Sequence, residues 1–186
     1  MILLFESLII LAWFFIFSFE RWKGNQLGQF ILLYSLPTTF VMEVINDAYF
    51  GEFGMIYPQS FFYLSPFKFP IPIVLCGSLY CWTLHTLSIK LSSLLFKGRK
   101  TTLCYSLLII ILLNTWYFIE FIGQKSGYWI RPGGIQYTKI IIALTYLFYF
   151  SFTAPSIIFS FLTHDLLKRK NKIENTPQIV FDEPSS

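Results

Sequence analysis

Five apolar runs, each long enough to cross a lipid hydrocarbon core, dominate this 186-residue sequence and leave few folds open to it. A helical crossing takes about 20 residues. The runs read Ile2–Phe19, Leu27–Asn46, Pro70–Phe96, Thr101–Ile122 and Ile135–Leu162. In hydrocarbon every backbone N–H and C=O has to be paired within the protein, so spanning segments are helices or closed barrels. These runs are continuously apolar and lack the period-two alternation of barrel strands. The expected fold is all-α: a polytopic membrane helix bundle of about five transmembrane helices over residues 1–167. A polar tail, residues 168–186, follows and is expected to be disordered. Only 13% of the residues are charged, against roughly a quarter in a soluble domain.

The basic residues orient the bundle. Arg21 and Lys23 follow the first run, Lys97, Arg99 and Lys100 the third, and Lys168, Arg169, Lys170 and Lys172 the fifth. The remaining junctions hold Lys68, Lys125 and Arg131. This alternation fits an odd number of spans, and the positive-inside rule then places the N-terminus outside and the C-terminus in the cytoplasm of a cell or inner membrane. The net charge of +4 is spread over these short clusters, so it marks topology and not a nucleic-acid partner. The last cluster also suits anionic headgroups. The first run has no basic residues before it and no small-x-small site after it, and is expected to be a retained span.

Two stretches are alike. Met42-Glu43-Val44-Ile45-Asn46-Asp47 ends the second run, and Ile119-Glu120-Phe121-Ile122-Gly123-Gln124 ends the fourth. A loop containing Gly and aromatic residues follows each: Gly51, Gly54, Tyr57 and Pro58 in the first, Gly127, Tyr128, Trp129, Pro132 and Gly133 in the second. The pair reads as a parallel repeat of two helix–loop–helix hairpins, with chance similarity of short motifs as the alternative.

Most ionisable residues near span ends gather on the outer side: Glu6, Glu43, Asp47, Glu120, Arg131 and Lys139. Thr39, Glu43, Asn46 and Asp47 share one helix face by their i, i+3, i+4 spacing. Two readings stand: a span ending at the headgroups, or a pocket open to the outer leaflet in which a desolvated carboxyl acts as an acid. Ser78, Cys81, His85, Ser88 and Ser92 form a polar stripe on the third run, and Thr138, Thr145, Tyr149, Thr153, Ser156 and Ser160 another on the fifth. Helix packing is the favoured reading of both. His85 is read as a buried neutral side chain, with a proton relay as the alternative. The loop from Tyr57 to Pro70, with Phe61, Phe62, Tyr63, Phe67 and Phe69, reads as an interfacial aromatic belt, or as a lid for an apolar lipid. Cys76, Cys81 and Cys104 lie within apolar runs without metal or redox spacing, and two histidines cannot form a histidine-rich metal site.

At these residues the chain resembles the membrane carotenoid-biosynthesis proteins that include the carotenoid hydratases. The first family segment corresponds to Glu43, Phe53-Gly54, Tyr57, Ile71-Pro72 and Trp82. The second corresponds to Glu120, Gly127-Tyr128-Trp129 and Pro132-Gly133-Gly134. The similarity covers residues 40 to 135, and Asn46 stands where the family has Gly. The resemblance implies a lyase-type, proton-initiated hydration of an apolar isoprenoid drawn from the membrane, with neither a metal nor a redox cofactor. Glu43 would be the acid, and Asp47 or Glu120 would position the water. Asn46, Tyr57, His85, Tyr128, Trp129 and Arg131 would bind the substrate, with Tyr57 or Trp129 shielding the cation. The alternative is a non-catalytic membrane component, a small carrier or an accessory subunit that binds a lipid or a protein. Oligomeric state is left open.

Overall fold

The computed structural model describes residues 2–49, 56–63, 65–66, 69–95, 109, 111, 115–130 and 139–174. The described chain is all-helical apart from two isolated bridges. Its helices are α1 (Ile2–Trp22), α2 (Gln26–Tyr49), α3 (Ile71–Leu95), α4 (Trp116–Lys125) and α5 (Lys139–Glu174). Three segments are long and apolar enough to cross a membrane: Ile2–Trp22, Gln26–Asn46 and Ile71–Leu91. The protein is thus a membrane-embedded helical bundle. Of the fourth expected span, the described part is mainly α4, which runs past Ile122 to Lys125. The described part of the fifth, from Lys139 to Leu162, falls within α5. That helix continues through the basic cluster at Lys168–Lys172 to Glu174, beyond the tail boundary drawn at residue 168. Lys, Arg and Glu are good helix formers, so a basic cluster need not end a helix. Residues 175–186 lie outside the described residues.

Helix α2 is the hub, packing most extensively on α5 and α3. Its hydroxyls tie the bundle together. Thr38 Oγ1 meets Ser156 Oγ of α5 at 2.5 Å, and Tyr34 meets Thr163 at 3.0 Å. Thr38 and Ser156 each follow a proline inside their helix, Pro37 and Pro155. Ser78 of α3 bridges three helices: it accepts from the Trp13 indole of α1 at 3.0 Å and donates to the Leu32 carbonyl of α2 at 2.7 Å. Gly77 lets α3 approach α2, because a Cβ there would meet the Thr39 side chain.

Helix α1 is the least buried of the three candidate spans. Its apolar side chains, among them Leu4, Leu8, Leu11, Phe14 and Phe15, are exposed, which in a bilayer means facing lipid. Its buried residues are Glu6, Trp13 and Glu20. They repeat every seventh position, nearly two helical turns, and so form one inward seam. The two carboxylates are therefore about 21 Å apart along the axis, one near each end of the helix. Glu20 closes the α1–α2 turn: Asn25 Nδ2 donates to its carboxylate, and the Asn25 amide donates to its carbonyl at 2.9 Å. Glu6 marks the opposite end, where α2 finishes and α3 begins, called the upper end below.

Candidate functional site at the upper end

The segments after α2 and before α3, and after α4, come together at the upper end. Ile56 and Ile130 form an antiparallel bridge, with N–H···O=C bonds of 3.0 and 2.9 Å in the two directions. The first segment then folds back on itself, so that the Ile71 amide donates to the Phe62 carbonyl at 2.8 Å. Its aromatic residues divide. Phe69 is buried against Phe40 of α2, and Phe61 and Tyr63 are exposed. Phe67 lies outside the described residues. The result is a cluster of Tyr57, Phe69, Ile73, Val74, Tyr128 and Trp129. Tyr57, Tyr128 and Trp129 meet edge to face, with ring centroids 5.7 to 6.4 Å apart.

Two buried carboxyls flank these rings. Glu43, on the last turns of α2, is 4% exposed. Its Oε2 accepts the Tyr57 phenol O–H at 3.0 Å and lies 3.5 Å from the Asn46 amide nitrogen. Glu6, on the first turns of α1, is fully buried. Its Oε1 accepts from Tyr128 O–H at 3.0 Å and from the Ser60 hydroxyl, and its Oε2 accepts the Phe61 amide at 3.0 Å. Each phenol therefore serves a carboxyl on a different helix, and the two rings touch at 6.2 Å.

The surroundings push the loop phenols up. Tyr128 is raised above its ordinary value by burial first, then by the Glu6 charge and by its hydrogen bond to Glu6. Tyr63 is raised by burial first and then by Glu6. Ser60 and Phe61 also line an open depression of about 550 Å³, with Ile2, Pro58, Gln59 and Ser126.

Of the residues singled out in the sequence, the structure brings Glu43, Asn46, Tyr57, Tyr128 and Trp129 to this end. Asp47 and Glu120 lie on α2 and α4, but their side chains fall outside the described residues, as does all of Arg131. His85 is buried elsewhere, about 21 Å down α3 from Ile71, with its ring 5.7 Å from Phe161. Glu6 and Ser60 are not among the candidate site residues of the sequence. The sequence signals for Glu6 are a carboxylate one turn into a strongly apolar run and its place in the outer-side group of ionisable residues. Among the described residues no group of three or more His, Cys, Asp or Glu could hold a metal ion.

Chemically, the site offers buried carboxyls that accept hydrogen bonds from phenols, beside aromatic faces that favour a nearby cation. Among the described residues two donors at this end, Trp129 Nε1 and Gln124 Nε2, are buried without a hydrogen-bond partner. Comparison of the chain with family models, with curated proteins and with solved structures finds no match.

Proposed function

We propose that this protein acts on an apolar, isoprenoid- or carotenoid-type lipid by acid-catalysed hydration at the upper end of its bundle. The supporting observation is the buried Glu43 carboxyl, held by the Tyr57 phenol at 3.0 Å beside the Tyr57–Tyr128–Trp129 rings. In its acid form Glu43 gives a proton to the less substituted carbon of a trisubstituted alkene. The other carbon becomes a tertiary cation, for which the ring faces are good neighbours. Water adds to that carbon, and the proton it sheds returns to the carboxylate. The product is a tertiary alcohol, one water heavier than the substrate.

The proposal includes the finer topology read from the sequence. The chain crosses five times, as two parallel hairpins plus α1, with the N-terminus outside and the C-terminus in the cytoplasm. The upper end then faces outward, and the site draws substrate sideways from the bilayer.

A second reading has an observation in its favour. Glu6 already receives three donors, the arrangement of a structural carboxylate. A site built of such groups binds a lipid or a partner without converting it. Mass spectrometry of lipid extracts separates the two readings, using cells with the wild-type gene, with Glu43→Gln and with no gene. Hydration predicts a product one water heavier than its precursor only with the wild type. A lipid pool identical in all three rejects catalysis.

A further inference from the structure

We infer that Glu6 is a positioning residue of the upper-end site: from α1 it holds Tyr128 and the Ser60–Phe61 segment together, and so fixes the Tyr57–Tyr128–Trp129 wall beside Glu43. The inference rests on the reading that this end is the site. It gives α1 a part that the sequence pattern assigns to none of its residues.

Glu6 hydrogen-bonds both connecting segments. Its bonds to Ser60 and Phe61 hold the segment before α3, and its bond to Tyr128 holds the segment after α4. Phe5, its neighbour on α1, sets its ring edge-on to Tyr128 at 5.2 Å. The two segments also meet through the rings of Tyr57, Tyr128 and Trp129, which pack without fixing a backbone register. Their backbone pairing is a single bridge whose residues, Ile56 and Ile130, are 46% and 45% exposed. Isolated two-stranded pairings are marginal at best. A buried carboxylate with three donors ties down both strands of the bridge at once. The tie then reaches Glu43 through the Tyr128–Tyr57 ring contact and the Tyr57–Glu43 hydrogen bond. Glu6 touches no reacting atom in this scheme; both of its oxygens serve the connecting segments.

The two oxygens of Glu6 have separate duties, which makes the conservative variant informative. Oε1 serves Ser60 and Tyr128, and Oε2 serves the Phe61 amide. In Glu6→Gln the amide nitrogen cannot face the Phe61 N–H, so it takes the place of Oε1, where the Ser60 and Tyr128 hydroxyls have to turn and accept in place of donating to a charge.

The test is a cross-linking rate. Residues that exchange both backbone bonds in an antiparallel pair have Cα atoms about 5.5 Å apart, within the span of a disulfide. The full chain carrying Ile56→Cys and Ile130→Cys is oxidised in its native membranes with a permeant oxidant. The two single-cysteine variants control for reaction with Cys76, Cys81 or Cys104. The double variant should cross-link rapidly. Adding Glu6→Gln or Tyr128→Phe should slow it several-fold, and Glu6→Ala should slow it most. Glu43→Gln should leave it unchanged. A second pair, Thr38→Cys with Ser156→Cys, reports the bundle interior and should cross-link equally with or without Glu6. Equal Ile56–Ile130 rates in chains with native Glu6, with Glu6→Gln and with Glu6→Ala would overturn the inference. Loss of both cross-links together would overturn it too, because Glu6 would then be a general folding group. Lipid extracts of the same membranes report separately on hydration. An unchanged lipid pool counts against the proposed activity, whereas the cross-link alone decides the role of Glu6.

Discussion

Tyr128 donates its phenol O–H to Glu6 at 3.0 Å across 122 positions of chain, joining the start of the first helix to the segment that follows the fourth. Both groups are buried, Tyr128 at 2% exposure and Glu6 at zero. A carboxylate near the end of a span is tolerable when it faces protein and is paired. The structure meets that condition with one phenol, one hydroxyl and one backbone amide. Tyr57 does the same for Glu43 on the other side of the ring cluster.

Tyr128→Phe tests that pairing energetically. The ring contacts with Phe5, Tyr57 and Trp129 can survive, so the loss is that of one donor to a buried carboxylate. Removing one partner of such a bond costs about 1–3 kcal/mol. Denaturation in detergent should show a loss of that size for Tyr128→Phe. A midpoint equal to the wild type's would mean that the phenol contributes nothing at this position.

Ser78→Ala should destabilise the bundle interior, because one hydroxyl both accepts from Trp13 and donates to Leu32. Its removal strands the indole N–H. Interhelical hydrogen bonds in membranes are worth about 0.6 kcal/mol on average and about 2 at most. Trp13→Phe should cost a similar amount through the bond, and more through the smaller ring. The double variant should then cost less than the sum of the two. Additive costs in a double-mutant cycle would show that the bond carries no coupling.

Gly123 is a packing requirement. A Cβ there would overlap the Trp129 ring, on the face of α4 that the indole covers. Gly123→Val should therefore lift Trp129 out of the cluster, at a cost of about 1–3 kcal/mol for overpacking. The readout is quenching of Trp129 emission by an aqueous quencher, in a chain with Trp13, Trp22, Trp82 and Trp116 replaced by Phe. Quenching should rise in the Val variant. Unchanged quenching would mean that α4 shifts instead of the indole.

The sequence shows the spans more readily than the site. Run length alone marks α1, α2 and α3, since each needs only enough apolar residues to cross a bilayer. The hydroxyl stripes are legible as packing as well: Ser78, His85 and Ser88 on α3, and Thr153, Ser156 and Ser160 on α5, are all buried. Helical spacing fixes which residues share a face, but not what that face meets. Nothing in the spacing of Ser78 points to Trp13. Glu43 stands out because it shares a face with Asn46 and Thr39. Glu6 does not, because no polar neighbour marks its face of α1. Its partners come from segments more than 50 positions away, brought close by tertiary packing alone. Loop pairings such as Ile56 with Ile130 leave no local pattern at all. Helix α5 runs straight through the basic cluster at Lys168–Lys172, since Lys and Arg are good helix formers.

Alkaline pH should destabilise the fold, and the direction follows from the phenols. Tyr128 is raised above 10.0, chiefly by burial and then by the Glu6 charge. Below the ordinary tyrosine value, folded and unfolded chains both keep this proton, and its contribution to stability is fully present. Above that value the unfolded chain releases the proton and the folded chain holds it, so stability falls as pH rises towards the raised folded value. One such group contributes a slope of about 1.4 kcal/mol per pH unit within that window. Tyr63 is raised in the same direction, by burial and then by Glu6, but it is exposed and adds little. Denaturation midpoints measured from about pH 8 to about pH 11 should be flat in this respect up to the ordinary tyrosine value and should decline above it. Tyr128→Phe should remove one proton's worth of that decline. Its slope would equal the wild type's if the phenol were already ionised in the folded chain, and that result would reject the buried Tyr128–Glu6 hydrogen bond as the state of the protein in solution.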